Sequence, residues 1–334
     1  MKPKRFAAID LIRIYLIVAL LMCHAFAPFN GGWVSLSQHE ICTYKWIARI
    51  SYASLLETFV LISGYLFYSK LLKGVTFTDV FKDKFRRLYI PTILFGILYV
   101  LILGIPISFT TFIRVLDGIG NLWFLPMLLI VFLLYWLAYK YISSKTLLTV
   151  ILGIVAVLPY PTLPFQFNDS LYYLFFFHLG CQIASNNELN IHLQSKKTLF
   201  FLTFLYIVVF IISFYIRDTY LNINDNLTLV HKSLLICIKH ICRFSYSVIG
   251  VFMIYSGFSF ISNYIKRDLT SIASLCFGVY LVHEMILRIL YYKLNIIEYI
   301  NIFYTPWVSI LITFILSIGI VKSLKHIKFF RNIL

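Results

Sequence analysis

The chain has 334 residues, of which 61% are hydrophobic, 18% aromatic and only 13% charged. A soluble domain of this size does not show that balance, so the composition excludes one and defines a polytopic membrane protein. The positive excess, 29 Lys and Arg against 13 Asp and Glu, tracks membrane topology along the chain and so argues against nucleic acid as a partner.

Runs long enough for about 30 Å of hydrocarbon, roughly 20 residues each, fall at 11–28, 50–69, 88–108, 121–139, 146–160, 171–184, 198–216, 244–262, 270–290 and 302–321. They predict an all-α bundle of about ten transmembrane helices, one membrane domain over 1–334, with the fifth and sixth helices short. With the N-terminus inside, nineteen basic residues fall on cytoplasmic segments, among them Lys2, Lys4, Arg5, Lys140, Lys145, Lys266 and Lys325. Nine fall outside, among them Arg217, Lys239, Arg243 and Arg288. The asymmetry follows the positive-inside rule and makes both termini cytoplasmic. The longest polar connections are expected at 29–49 and 217–243 outside, and at 70–87 and 185–197 inside. The outer pair holds His39, Glu40, Asp218, Asp225, His231 and His240 beside Trp33 and Trp46. Such loops either receive a polar substrate or are solvated surface.

The first helix starts like a signal peptide and ends on Ala25-Phe26-Ala27, which resembles a cleavage site. Asp10 and Arg13 sit badly in the apolar region of such a signal, so the segment is expected to be retained. Charged groups at this depth are costly and point to function. From Arg13 to His24 the helix turns about 1100°, within ~20° of three full turns, and rises ~16 Å. Both side chains therefore share one face, half a bilayer apart, and Asp10 lies ~60° from Arg13 on the same helix. A neutral imidazole at His24 can take a proton from an attacking hydroxyl or hold an acyl group; the alternative is a structural histidine. Arg13, deeper toward the cytoplasm, can hold phosphate or carbonyl oxygen, or pair with Asp10.

Glu57 in the second helix, six residues before Ser63-Gly64, needs a cation at its depth, which Arg13 or His24 would supply. It is either catalytic or a structural ion pair. Lys82, Lys84, Arg86 and Arg87 precede Pro91 in a cluster denser than orientation requires, suited to a phosphorylated cofactor or anionic lipid. Asn121-Leu-Trp123 opens the fourth helix as an interfacial anchor or a cavity wall, and His178 lies beside Gly180 in the sixth. Tyr280, His283, Glu284 and Arg288 form a second polar stretch in the ninth, with Glu284 and Arg288 at salt-bridge spacing. The six cysteines have no metal-ligand spacing and read as packing residues, a disulfide involving Cys42 or the Cys237/Cys242 pair being the alternative. The sequence has no Gly-rich phosphate loop, no His-Glu-x-x-His and no Gly-x-Ser-x-Gly.

Together these segments resemble the integral-membrane acyltransferase type 3 family, which includes bacterial O-acetyltransferases of surface polysaccharides. The likeness runs through nearly the whole chain. It rests on Arg13, ten residues and His24; on Glu57-Thr-Phe-Val-Leu-Ile-Ser63-Gly-Tyr-Leu-Phe67; on Lys84-Phe-Arg-Arg-Leu-Tyr-Ile-Pro91; on Leu122-Trp-Phe-Leu-Pro126; and on Ser274 to His283, in the family's order. The resemblance implies transfer of acetyl from cytoplasmic acetyl-CoA, with no metal, to a sugar hydroxyl of a surface glycan or its lipid-linked precursor, at the bacterial cytoplasmic membrane. Lys82, Lys84, Arg86 and Arg87 would draw in the cofactor, and Arg13 would hold it or polarise the thioester. His24 would activate the acceptor or relay the acetyl group, with Glu57 or Asp10 orienting it. His283, Tyr280, Trp123 and Ser63 are secondary candidates. Two departures stand out: Tyr89 and Ile90 occupy positions where the family has a further arginine, and no hydrolase-like domain follows the tenth helix. Transfer is then expected to be completed by the membrane domain or with polysaccharide biosynthesis proteins. A transporter of a glycan or small metabolite, or a non-catalytic partner in a synthesis complex, are the competing functions.

Overall fold

The computed structural model describes residues 4–29, 32–36, 41–158, 163, 165–220, 229–265, 267–331 and 333. Lys2, His39, Glu40, Asp225 and Lys266 lie outside the described residues. Among the described residues the chain is helical, without a strand. Hydrocarbon offers no water to unpaired backbone groups, so an apolar chain satisfies them within helices. In chain order these are α1 (Lys4–Phe26), α2 (Cys42–Tyr52), α3 (Leu55–Leu72), α4 (Phe77–Lys84), α5 (Ile90–Leu103), α6 (Phe109–Asp117), α7 (Phe124–Tyr141) and α8 (Lys145–Val157). There follow α9 (Phe167–Ser185), α10 (Asn187–Leu193), α11 (Lys196–Tyr220), α12 (Leu229–Ser262), α13 (Thr270–Ala273), α14 (Cys276–Arg288), α15 (Thr305–Lys325) and α16 (Lys328–Arg331).

Among the described residues, seven stretches are long and apolar enough to cross a membrane: Ala7–Phe29, Cys42–Leu72, Phe77–Leu103, Gly120–Tyr141, Lys196–Thr219, His231–Ser262 and Thr305–Lys325. They answer the first four predicted helices and the seventh, eighth and tenth. The fifth is the 13-residue α8. The sixth is α9, whose apolar run is diluted by Asn168, Asp169, His178 and Gln182. The ninth is interrupted between α13 and α14 and passes into a π-turn at Ile289–Lys293.

Among the described residues, the segments predicted as polar connections carry helices, and this corrects the expectation of loops there. Residues 29–49 contain most of α2, 70–87 contain α4 with the start of a π-turn (Phe85–Tyr89), 185–197 contain α10, and α11 and α12 both run into 217–243. Of these, α2 and α4 are amphipathic and α10 is a short polar helix of seven residues, so a search by average hydropathy misses them. In α2, Tyr44, Ala48 and Ser51 are buried at helical spacing while Cys42, Thr43 and Trp46 face outward.

The chain packs as two units. One comprises Met1–Ile12, Leu56–Val80 and Ile130–Lys266; the other comprises Arg13–Leu55, Phe81–Leu129 and Arg267–Leu334. In the first, α3 and α9 cross with their backbones in contact. A Cβ on Gly180 would lie 1.9 Å from the Leu61 carbonyl oxygen, and one on Gly64 would lie 2.0 Å from that of Phe177. The Cys181 thiol donates to the Gly64 carbonyl at 3.1 Å across the same crossing. Small residues let transmembrane helices approach this closely, gaining dispersion contacts where lipid supplies no hydrophobic force. Gly180→Ala is therefore expected to cost about 1–3 kcal/mol by overpacking. The thermal unfolding midpoint in detergent should fall; an unchanged midpoint would contradict this close approach.

In the second unit an aromatic cluster fixes the end of α1. Phe26 meets Tyr44 and Trp307 edge-on at 4.9 and 5.1 Å, and Phe29 meets Tyr44 and Tyr291 at 5.7 and 6.1 Å. Tyr291 donates its hydroxyl to the Ala25 carbonyl at 2.7 Å, and Tyr44 donates to that of Phe303 at 2.9 Å. Edge-to-face pairs of this kind are each worth about 0.5–1.5 kcal/mol beyond area burial. The last turn of α1, which carries His24, is held rigidly.

Candidate active site

His24 meets His283 of α14 within the second unit, its Nδ1 lying 3.0 Å from His283 Nε2. The rings are near parallel, 15° between planes and 5.1 Å between centroids. On its other side His283 Nδ1 faces the carbonyl oxygens of Tyr280 at 2.8 Å and Val279 at 3.2 Å. Carbonyls only accept, so Nδ1 of His283 carries the hydrogen, and in the neutral ring its Nε2 is a lone pair. That lone pair accepts from His24 Nδ1–H. The Nε2 of His24 is then itself a lone pair, and it has no hydrogen-bond partner among the described residues. His283 is fully buried, whereas the His24 side chain keeps 15% of its surface exposed. The pair thus leaves one nitrogen lone pair on the half-buried His24 ring and fixes its tautomer from behind.

Charge sits close to this nitrogen pair. Glu284 Oε2 is 3.9 Å from His24 Nδ1. Its Oε1 accepts from Tyr99 Oη at 3.0 Å and from Arg288 Nε at 2.7 Å. The guanidinium of Arg288 lies 4.3 Å over the Trp33 ring, which is 5.6 Å from the His24 ring. A carboxylate behind an imidazole stabilises the imidazolium that forms when the base takes a proton, as in hydrolase triads. Arg288 retains guanidinium donors beyond the Nε committed to Glu284, suited to a developing oxyanion.

Two local devices place these groups. Asn121 donates its amide to the Tyr280 carbonyl at 2.7 Å, and Tyr280 returns its hydroxyl to the Asn121 carbonyl. That reciprocal clamp orients the carbonyl which sets the His283 tautomer. Gly278, one turn earlier, leaves space for Val321 of α15, whose Cγ1 would lie 2.6 Å from an added Cβ.

The remaining predicted residues lie elsewhere. Asp10 and Arg13 are half-buried in α1, Arg13 ~16 Å along the helix from His24. Arg13 is within electrostatic reach of Lys325, which donates to the Ser274 carbonyl at 2.9 Å. Lys82, Arg86 and Arg87 are exposed at α4 and the π-turn after it, and Lys84 is half-buried. Asp83 pairs with Arg87 at 3.2 Å and Lys84 at 3.5 Å, while Lys82 and Arg86 have no acidic partner among the described residues. Trp123 stacks edge-on with Phe124 at 6.1 Å and has no ring contact to the histidine pair.

Glu57 and Ser63 lie in the first unit. Glu57 is buried; its Oε1 accepts from Tyr172 Oη at 3.1 Å and Ser247 Oγ at 3.2 Å and stands 3.5 Å from Arg243 Nη2. Arg243 thus supplies the cation sought in Arg13 or His24, a pairing set by the packing of α12 and invisible in local spacing. Ser63 spends its hydroxyl on the Phe59 carbonyl at 2.9 Å. His178 is buried between Tyr135 Oη at 3.0 Å and Thr149 Oγ1 at 2.8 Å. None of the six cysteines is in a disulfide. Among the described residues no group of three or more His, Cys, Asp or Glu is placed to hold a metal.

Tyr99, Arg243 and Lys325 were not foreseen as site residues. Tyr99 is one tyrosine in an apolar run, and Lys325 and Arg243 read as topology charges, so no local pattern marks them. Glu284 and Arg288 were visible only as a helix salt bridge.

The fold is that of a multi-pass helical membrane protein, and its second unit holds a half-buried histidine backed by a second histidine and a carboxylate. A family model described as an acyltransferase domain matches residues 6–323, nearly the whole chain. The chain belongs to this family and is a membrane acyltransferase. No curated protein and no solved structure matches it.

Proposed function

We propose that the chain transfers acetyl from cytoplasmic acetyl-CoA to a hydroxyl of a surface polysaccharide or of its lipid-linked precursor, in the bacterial cytoplasmic membrane. The observation that carries this reading is the Nε2 of His24, which has no hydrogen-bond partner among the described residues and whose lone pair follows from the carbonyls behind His283. In the proposed step the acceptor O–H gives its proton to His24 Nε2 as its oxygen attacks the thioester carbonyl. Charge on that carbonyl oxygen is stabilised by a cation, for which Arg288 has donors to spare. The tetrahedral intermediate collapses, the C–S bond breaks, and the proton on Nε2 passes to the departing thiolate, so the ester and coenzyme A leave with atoms balanced.

His283 and Glu284 act as positioning groups: they hold Nδ1–H in place and stabilise the imidazolium. Arg13 and Lys325, two cations near one another, suit the phosphates of the donor, which Lys82, Lys84, Arg86 and Arg87 attract. Glu57 orients its surroundings through Arg243, and Asp10 tempers the charge of Arg13. Tyr280 acts through its carbonyl, while Trp123 and Ser63 line the bundle. About ten crossings with both termini cytoplasmic would let a donor from inside reach an acceptor nearer the outside over the ~16 Å between Arg13 and His24.

The test is purified protein in liposomes given labelled acetyl-CoA and a soluble glycan acceptor. Labelled acetyl ester on the glycan is the expected result. Glycan accumulating inside the liposomes with acetyl-CoA intact would replace acyl transfer with transport. If neither occurs while cellular glycan acetylation depends on the chain, it serves as a non-catalytic partner.

A further inference from the structure

A second polar feature lies where α11 and α12 run side by side, within the first unit. A pocket of about 80 Å³ is lined by Ser213, Phe214, Arg217, Lys239, Cys242, Arg243 and Tyr246. At about 30 Å³ per water, it has room for a group the size of a carboxylate or phosphate.

Three of the seven lining residues are cations, and no acid lines the pocket. Lys239 is exposed and has no ion-pair partner among the described residues. Arg217 meets Asp218 at 3.4 Å through Nε alone and lies 4.3 Å over the Phe214 ring. Arg243 directs Nη2 to Glu57 at 3.5 Å and to Tyr173 Oη at 3.2 Å, which leaves Nη1 uncommitted. Asp169 also feels the charge of Arg243. These acids neutralise part of the charge from outside the pocket.

Ser213 adds a hydroxyl to this lining. Its side chain is buried, with 5% of its surface exposed, and it makes no hydrogen bond to the described residues. A serine in a helix ordinarily returns its hydroxyl to the carbonyl one turn back, as Ser245 does to Ile241 at 2.8 Å. An unspent donor beside three cations is a site shaped for an acceptor-rich anion. Phe214 and Tyr246, 5.7 Å apart, add an aromatic wall.

Position narrows the source. At 34 residues, α12 is about 51 Å long, against about 30 Å of hydrocarbon. With the apolar run 244–262 crossing the hydrocarbon, the turns before it, which carry Lys239 and Arg243, would stand at its boundary, where polar headgroups and lipid-linked sugars have their phosphates.

The geometry points to an oxyanion site at this boundary, taking a phosphate or carboxylate from either an acidic acceptor glycan or an anionic lipid headgroup. Arg217, Lys239 and Arg243 hold its charge and Ser213 donates to it. Where the anion belongs to the glycan, the site selects acidic acceptors for the acetyl transfer proposed above; the binding itself does not depend on that reading.

The test is binding, read without turnover, so that it fails or succeeds apart from acyl transfer. Wild-type protein in phosphatidylcholine nanodiscs is titrated with inorganic phosphate, with glucuronate and with short-chain phosphatidylglycerol, alongside Lys239→Glu and Ser213→Ala. Saturable binding, weakened at least tenfold by Lys239→Glu and less by Ser213→Ala, is expected. Glucuronate or phosphate that phosphatidylglycerol fails to displace identifies a glycan-borne anion, and displacement identifies a lipid headgroup. Lys239 is exposed, so its variant should fold; circular dichroism confirms this, and Lys239→Arg should restore binding. No binding of any of the three, or equal binding by wild type and a folded Lys239→Glu, would overturn the site.

Discussion

His24→Ala is expected to lower acetyl transfer by about 10²–10⁴-fold, the usual contribution of a positioned general base, while the protein still folds. The structural loss is small because the His24 side chain is part-exposed and makes one hydrogen bond, to His283. Leaving His283 Nε2 without its donor costs about 1–3 kcal/mol. His24→Asn separates the two effects. Its amide nitrogen stands where Nδ1 stood and can still donate to His283, but asparagine has no nitrogen lone pair to accept a proton. Transfer should fall as far as in the alanine variant, while the unfolding midpoint stays nearer that of wild type. An active His24→Asn would remove the base from the mechanism.

The second large effect is on stability. Glu284→Ala takes away the acceptor of both Tyr99 Oη and Arg288 Nε in a site where Glu284 itself is 3% exposed. Breaking a buried ion pair costs about 3–5 kcal/mol, and the lower end applies because the Arg288 side chain keeps 27% of its surface exposed. The unfolding midpoint in detergent should drop clearly. Glu284→Ala/Arg288→Ala should be less destabilised than the sum of the single variants, since each removes the partner the other leaves stranded. Full additivity, or a Glu284→Ala variant as stable as wild type, would contradict the ion pair. Turnover of Glu284→Gln is expected to fall with stability largely kept, because the imidazolium loses its counter-charge.

The membrane class and the stripe on α1 were legible because both rest on periodicity and hydropathy. The eleven-residue step from Arg13 to His24 fixes a shared face whatever surrounds the helix. His283 was visible as a polar residue in an apolar run, but its partnership with His24 spans 259 positions, and no local pattern carries that separation. The same holds for Glu57, whose cation is Arg243, 186 positions away by their sequence numbers. Some helices escaped for a different reason. The amphipathic α2 and α4 read as loops because a search for continuous apolar runs averages their two faces, and α10 because it is a polar helix of seven residues. In α6 the signals were present and local: Ser108 caps the first turn by accepting from Thr111 N at 3.1 Å, and Gly118 ends the helix at φ 93°.

The claim that this membrane acyltransferase acetylates glycan through His24 is tested most directly in cells. Surface glycan from a strain lacking the chain, and from that strain supplied with wild type or His24→Ala, would be compared for O-acetyl content by mass spectrometry. Loss of O-acetyl groups on deletion, restored by wild type and not by an equally expressed His24→Ala, is the predicted result. Unchanged O-acetyl content on deletion, or full restoration by His24→Ala, would contradict it.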